Sequence, residues 1–187
     1  MRYQYLRRRA NIHPQLSQIK PSHKPEVDMI FRQLLEPASS TYTYLLGCEE
    51  TGKAVLIDPV ISAVERDLAE LSRLELTLAY SLDTHIHADH ITAGLELKKR
   101  TGSRIASPAF DALPCTDVGI EENKAFQVGN LRFEPLHTPG HTDGHFAYLL
   151  GDRLFTGPPN TKKDVFGRLF LCLPFGGCPR KIVRNPI

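Results

Sequence analysis

Thr84-His85-Ile86-His87-Ala88-Asp89-His90 sets three histidines and a carboxylate almost side by side, and the reading of this chain turns on that stretch. Imidazole nitrogen with one hard oxygen donor suits zinc or non-haem iron rather than calcium or magnesium, which favour all-oxygen sites. Such a density of imidazole and carboxylate is seldom needed for stability, so a metal centre accounts for it better than surface or capping histidines do. Thr77 to Leu82, immediately before, reads as a buried strand. His85 and His87, two apart beyond its end, therefore point the same way and can share one ion. Ile91 to Arg100 carries apolar residues at helical spacing and ends in basic side chains before Gly102. Asp89 and His90 thus lie where a helix is expected to begin, and reach the same cleft from another angle.

A second donor comes from His137-Thr138-Pro139-Gly140-His141-Thr142. His137, His141 and His145 recur at a helical interval, but Pro139-Gly140 and Asp143-Gly144 break any helix there. His141, in the turn, is the expected ligand, with His137 and His145 supporting strands and turns. The candidate metal ligands are His85, His87, Asp89, His90 and His141, and Asp89 is also the candidate catalytic group. His13 and His23, in a polar segment, read as solvent-exposed.

Outward from these motifs, Met29 to Leu35, Thr41 to Gly47 and Ala54 to Asp58 read as strands joined by short turns, an antiparallel meander. Ile61 to Leu76 reads as an amphipathic helix, with Val64, Leu68, Leu71 and Leu74 three or four apart and acidic residues between them. Further strands are expected at Arg104 to Ser107, Ala125 to Val128, Leu131 to Leu136, His145 to Leu150 and Arg153 to Phe155.

The 187 residues, 41% hydrophobic, suffice for one domain with a core, and no apolar run approaches the ~20 residues of a membrane span. The net charge of +2 hides an uneven distribution: residues 1–25 hold six basic and no acidic side chains, and residues 158–187 hold six basic and one acidic. The stretch between is acidic and lacks a basic stripe interleaved with aromatics, which argues against nucleic acid as a partner. Three regions follow: 1–28, a basic flexible segment; 29–157, the metal-binding domain; and 158–187, an atypical basic tail. The basic, acid-poor start fits an organellar transit peptide or a flexible tail and lacks the apolar centre of a secretory signal, so a cytoplasmic or mitochondrial location is expected. Cys48, Cys115, Cys172 and Cys178 form no Cys-x-x-Cys pair and are expected to be reduced.

The run His85, His87, Asp89, His90 resembles the His-x-His-x-Asp-His signature of the metallo-β-lactamase superfamily. Ile30 to Pro37, Ser40-Thr41-Tyr42-Thr43-Tyr44-Leu45-Leu46-Gly47, Ala54 to Val60 and Thr84 to Thr92 look like the iron-dependent persulfide dioxygenases within it. That resemblance covers about residues 29 to 157 and implies an α/β (α+β) fold, an αββα sandwich with metal-ligand loops along one edge. It implies ferrous iron as cofactor, glutathione persulfide and O2 as substrates, and sulfite and glutathione as products in sulfide metabolism. His85 and His141 map onto the histidines of a 2-His-1-carboxylate triad. An alternative is a zinc-dependent hydroxyacylglutathione hydrolase of the glyoxalase II type, cleaving a glutathione thioester, with Asp89 and His90 holding a second Zn2+. A homodimer is among the candidate assemblies. The chain departs from the family after Phe155-Thr156-Gly157, where Pro158 stands in place of the expected aspartate and the family's later elements do not follow. On that ground a frameshift or chimaeric junction after Gly157, and an inactive truncated product with exposed strand edges, are also expectations. Asp164 is a substitute carboxylate if the tail folds back.

Overall fold

The computed structural model describes residues 28–157 and the backbone of residues 181–183. The expectations for His13, His23, Cys172, Cys178, Pro158, Asp164 and the basic segments at either end lie outside the described residues.

Two sheets carry the domain. The first is six-stranded: β1 (Met29–Glu36), β2 (Thr41–Cys48), β3 (Lys53–Ile57), β4 (Thr77–Leu82), β5 (Arg104–Pro108) and β6 (Val118–Ile120) lie in sequence order. β1 to β3 form the expected antiparallel meander, and β3 to β6 run parallel. The second sheet contains β7 (Phe126–Val128), β8 (Leu131–His137), β9 (Phe146–Leu150), β10 (Arg153–Phe155) and β11 (Lys181–Val183), in the order β11-β10-β9-β8-β7. Two helices, α1 (Val64–Arg73) and α2 (Gly94–Thr101), provide the crossovers from β3 to β4 and from β4 to β5. A single 3-10 turn, Ile61–Ala63, leads into α1.

Alternation along the strands sorts the core into two layers. Tyr44, Leu46, Val55 and Ile57 face the second sheet and pack with Phe133, Phe146, Tyr148 and Phe155. Their neighbours Leu45, Ala54 and Leu56 face the other way, against Val64, Leu71 and Leu97 of the helices. Each fully buried leucine here contributes roughly 2 kcal/mol in transfer free energy. β4 breaks the alternation, since Leu78 faces the helices and Leu82 the inter-sheet core although they are an even number apart. The register explains it: Ala54 pairs with Leu78 and Val55 with Tyr80, leaving Ala79 as the extra residue of a bulge. This is the helix–sheet–sheet part of the layered α/β architecture. Among the described residues no helix is long and apolar enough to cross a membrane.

The boundary that bears on the site differs from the sequence reading. The helix after the histidine run begins at Gly94, not at Asp89. Ile91 and Ala93 instead use their backbone groups on the preceding connection: Ile61 N–H donates to Ile91 O at 2.9 Å, and Ala93 N–H donates to Pro59 O at 2.7 Å. Val60 and Thr92 form an isolated antiparallel bridge. The histidine segment is thus a pinned loop.

Candidate metal centre

The parallel pairing of β3 with β4 sets the site's position. Ile57 is in register with Leu82, so the next residues, Asp58 and Asp83, emerge together at the same edge. Both are buried. Asp58 has φ of 51° and turns its carboxylate into the histidine loop. Its Oδ1 accepts from Thr84 N–H at 2.7 Å and lies 3.1 Å from His87 Nε2, while its Oδ2 accepts from Thr84 Oγ1 at 2.9 Å. Asp83 Oδ1 accepts from Thr92 Oγ1 at 2.9 Å and sits 4.0 Å from His87 Nε2.

Electrostatics separates the two carboxylates. Burial alone would raise Asp58, but the charge and hydrogen bond of His87 and the Thr84 N–H outweigh it and hold the carboxyl at about 2. Asp83 is pushed up to about 7 by its burial and by the Asp58 charge, against the pull of His87 and Thr92. Asp58 therefore keeps the charge and Asp83 is the partner that takes a proton. Burial disfavours charge on His87, yet Asp58, Asp83 and Asp89 together raise it. His85 is lowered to about 3 by burial and by the neighbouring histidines.

The histidine rings gather around this pair. Ring centroids are 4.2 Å apart for His85 and His87, 4.2 Å for His87 and His90, and 4.7 Å for His85 and the edge-on His141. His85 is buried at the back, while His141 is exposed at the mouth. The turn bearing His141 is closed by His137, whose Nε2 sits 2.7 Å from Asp143 O, and by the Thr138 N–H, which donates to His145 O at 2.8 Å. His137 thus has the supporting place expected of it. His145 is more central than expected: it is buried, lowered to about 4 mainly by that burial, and its ring lies 5.2 Å from His85.

The second sheet grips the loop from the other side. Phe146 N–H donates to Thr84 O at 2.8 Å and the Tyr148 hydroxyl donates to Asp83 O at 2.8 Å. The Ser40 to Leu46 stretch also touches the site: Thr43 Oγ1 donates to Asp58 O at 3.1 Å, and Thr41 Oγ1 is 3.4 Å from His90 Nδ1.

Two groups of three among the described residues bring their ligand atoms within 4.8 Å of one another: His87 with Asp89 and His90, and His87 with Asp58 and Asp83. Asp89 is held 3.0 Å from His90 Nδ1, and its side chain is otherwise well exposed. His90 Nε2 is buried with no hydrogen-bond partner among the described residues. A buried imidazole nitrogen left without a partner is costly unless a ligand takes it. Nitrogen donors, a nearby carboxylate and that open nitrogen fit a divalent first-row metal. His85 and His141 face each other across the cleft without joining either group.

Sequence reading missed Asp58 and Asp83. The signal for Asp58 was an aspartate at the end of an apolar strand, followed by proline. Its importance follows only once β3 and β4 are known to be parallel neighbours.

A profile described as the Metallo-beta-lactamase superfamily matches residues 37–158. The chain is 39% identical over 146 residues to "Persulfide dioxygenase ETHE1, mitochondrial" of Homo sapiens, covering 76% of this chain and 56% of that protein. It is 36% identical over 137 residues to "Hydroxyacylglutathione hydrolase" of Ectopseudomonas mendocina (strain ymp), covering 69% of this chain and 53% of that protein. Among solved structures, ETHE1 from Myxococcus xanthus superposes with a TM-score of 0.73 at 39% identity, covering 84% of this chain and 76% of that one. The chain spans about half the length of the curated relatives it matches.

Proposed function

The chain belongs to the metallo-beta-lactamase superfamily, and on that premise we propose that its site serves oxidation of glutathione persulfide by O2 to sulfite and glutathione. The supporting observation is the 39% identity to a persulfide dioxygenase over a span that contains the whole histidine cluster. In that reaction the terminal sulfur loses four electrons, O2 accepts them, and one water supplies the third oxygen of sulfite. His85 and His141, facing each other at 4.7 Å, are the proposed nitrogen ligands, with His87, Asp89 and His90 lining the adjoining position. Ferrous iron would supply the one-electron chemistry through which ground-state O2 reacts with sulfur. The chain's own residues orient the imidazoles, and burial holds His85 neutral at the back of the site. The names of the mammalian relatives and the basic first 25 residues favour a mitochondrial location.

A second reading rests on a different observation. The close grouping of His87, Asp89 and His90, with the 36% identity to a hydroxyacylglutathione hydrolase, supports a two-zinc thioesterase. There zinc would supply an activated water as nucleophile.

Metal stoichiometry and turnover separate them. The persulfide reading expects about one iron per chain and O2 uptake that depends on glutathione persulfide, lost in His141→Ala and largely retained in His90→Ala. The thioesterase reading expects two zinc ions, one after His90→Ala, and hydrolysis of lactoylglutathione. Iron-loaded chain that consumes no O2 with glutathione persulfide would refute the first reading.

A further inference from the structure

The neighbours of the Asp58 carboxylate dictate where the ring protons of His85 and His87 sit. Three donors converge on it: Thr84 N–H, Thr84 Oγ1 and His87 Nε2, at 2.7, 2.9 and 3.1 Å. An ionised carboxylate only accepts. The Thr84 hydroxyl has one proton, and Asp58 Oδ2 claims it. Thr84 Oγ1 is also 2.8 Å from His85 Nδ1, and with its proton committed it can only accept there. His85 must therefore carry its proton on Nδ1, which leaves Nε2 bare.

His87 meets the same carboxylate directly. Whether its ring is neutral or protonated, the hydrogen facing Asp58 sits on Nε2, so Nδ1 is the nitrogen left for a ligand. One carboxylate thus presents opposite nitrogens from two histidines on the same strand exit, acting on one directly and on the other through a hydroxyl. The relay is roofed by Gly157, whose φ is +62° and at which a Cβ would come within 2.7 Å of Thr84 Oγ1. That spacing leaves no room over the hydroxyl for a residue larger than glycine.

We infer that Thr84 is a positioning residue for the metal: its hydroxyl hands the orientation imposed by Asp58 on to His85 and fixes the tautomer whose Nε2 meets the ion. The inference rests on the reading of His85 as a ligand, but not on which reaction the site performs. Hydrogen-bond partners of metal-ligating histidines commonly alter affinity by about 10- to 100-fold.

The test uses the full 187-residue chain, metal-free and labelled with 15N-histidine. Long-range 1H–15N correlation at neutral pH should show the His85 proton on Nδ1. Thr84→Val should let that tautomer mix or reverse, and should weaken Zn2+ binding about tenfold or more in a titration with the metal alone. Thr84→Ser should restore both, an outcome that a purely steric role for the threonine would not give. A wild-type spectrum with the His85 proton on Nε2 overturns the inference without any variant, even where Thr84→Val does not fold. So does a folded Thr84→Val chain with unchanged tautomer and affinity. Absence of O2 uptake in a chain that shows these tautomers and binds metal would refute the proposed reaction and leave the relay standing.

Discussion

Asp58→Asn changes one atom of the carboxylate and should rearrange the proton pattern of the whole site. Asparagine tolerates the positive φ of 51° at this position, so backbone strain drops out of the comparison. The amide oxygen will take the Oδ1 place, because an NH2 there would face the Thr84 N–H at 2.7 Å. The NH2 then replaces Oδ2 and donates to Thr84 Oγ1. The hydroxyl, now an acceptor on that side, turns its proton toward His85 Nδ1 and drives the His85 proton to Nε2, the nitrogen the metal needs. The energetic size comes from the carboxyl's depression from 3.8 to about 2. At roughly 1.4 kcal/mol per pH unit this is about 2.5 kcal/mol of folded-state preference for the charged form, which the amide forfeits. The two hydrogen bonds that survive lose their charge assistance, a loss of about 1 kcal/mol each, and the two routes agree. We expect denaturant unfolding of the metal-free variant to show a loss of about 2 kcal/mol. Zn2+ affinity should fall about 10- to 100-fold, and the 15N spectrum should show His85 inverted with the His87 proton still on Nε2. A variant with wild-type unfolding midpoint and an unchanged His85 tautomer would refute the reasoning.

Gly157→Ala should cost about 2 kcal/mol or more in a thermal or denaturant melt, since it combines a left-handed φ of +62° with a Cβ 2.7 Å from Thr84 Oγ1; metal affinity should fall with it, and an unchanged melt would contradict the packing. Tyr148→Phe removes the hydroxyl that donates to Asp83 O at 2.8 Å and should destabilise by about 1 kcal/mol in the same assay, with no change in fold by circular dichroism. Stability of the metal-free chain should rise with pH from about 4 to 6.5. His85 and His145, folded near 3 and 4 against an ordinary 6.5, bind protons in that window only when unfolded, so their contribution is complete above 6.5 and lost on acidification. Asp83, folded near 7 against 3.8, holds one proton in the folded state over the same window and opposes them. Among these three groups the net of one proton gives a slope of roughly 1.4 kcal/mol per pH unit, to which His90, lowered by burial, adds and from which Asp67, raised by burial, subtracts, and Asp83→Asn should steepen the slope by roughly the same amount; a flat or falling profile by denaturant titration would refute the assignment.

The first sheet was largely legible, because Thr41 to Gly47, Ala54 to Asp58 and Thr77 to Leu82 are apolar runs bounded by turn residues. β6 escaped notice: Val118-Gly119-Ile120 is too short to show a period and pairs only because β5 offers it an edge. The bulge at Ala79 was equally hidden, since which face Leu78 takes depends on its partner strand. At the site, local spacing singled out His85, His87, Asp89, His90 and His141 as candidates, but not what orders them. Asp58 is separated from Thr84 by a helix and a strand, and only the parallel pairing of β3 with β4 brings the two together. The start of α2 was misplaced for a related reason: the apolar period continues through Ile91, but the tertiary bonds to Pro59 and Ile61 take the backbone groups a helix would need.

The candidate metal centre is therefore a junction between two sheets rather than a property of the histidine run. Asp58 holds the run from the first sheet, through Thr84 and His87. The second sheet holds it through Phe146 N–H on Thr84 O and the Tyr148 hydroxyl on Asp83 O, and it also carries the turn that brings His141 opposite His85. The separation of those two imidazoles is thus fixed by how closely the sheets approach, and that spacing is filled by Tyr44, Leu46, Ile57, Phe133, Tyr148 and Phe155. Close-packed cores resist small changes in volume, so this apolar layer serves as the gauge for the site. The Ser40 to Leu46 stretch belongs to both systems: Leu46 and Tyr44 fill the inter-sheet layer, while Thr41 and Thr43 bond to His90 and to the Asp58 carbonyl. A strand that fills the inter-sheet layer and also touches the histidine loop couples packing to the geometry of the site.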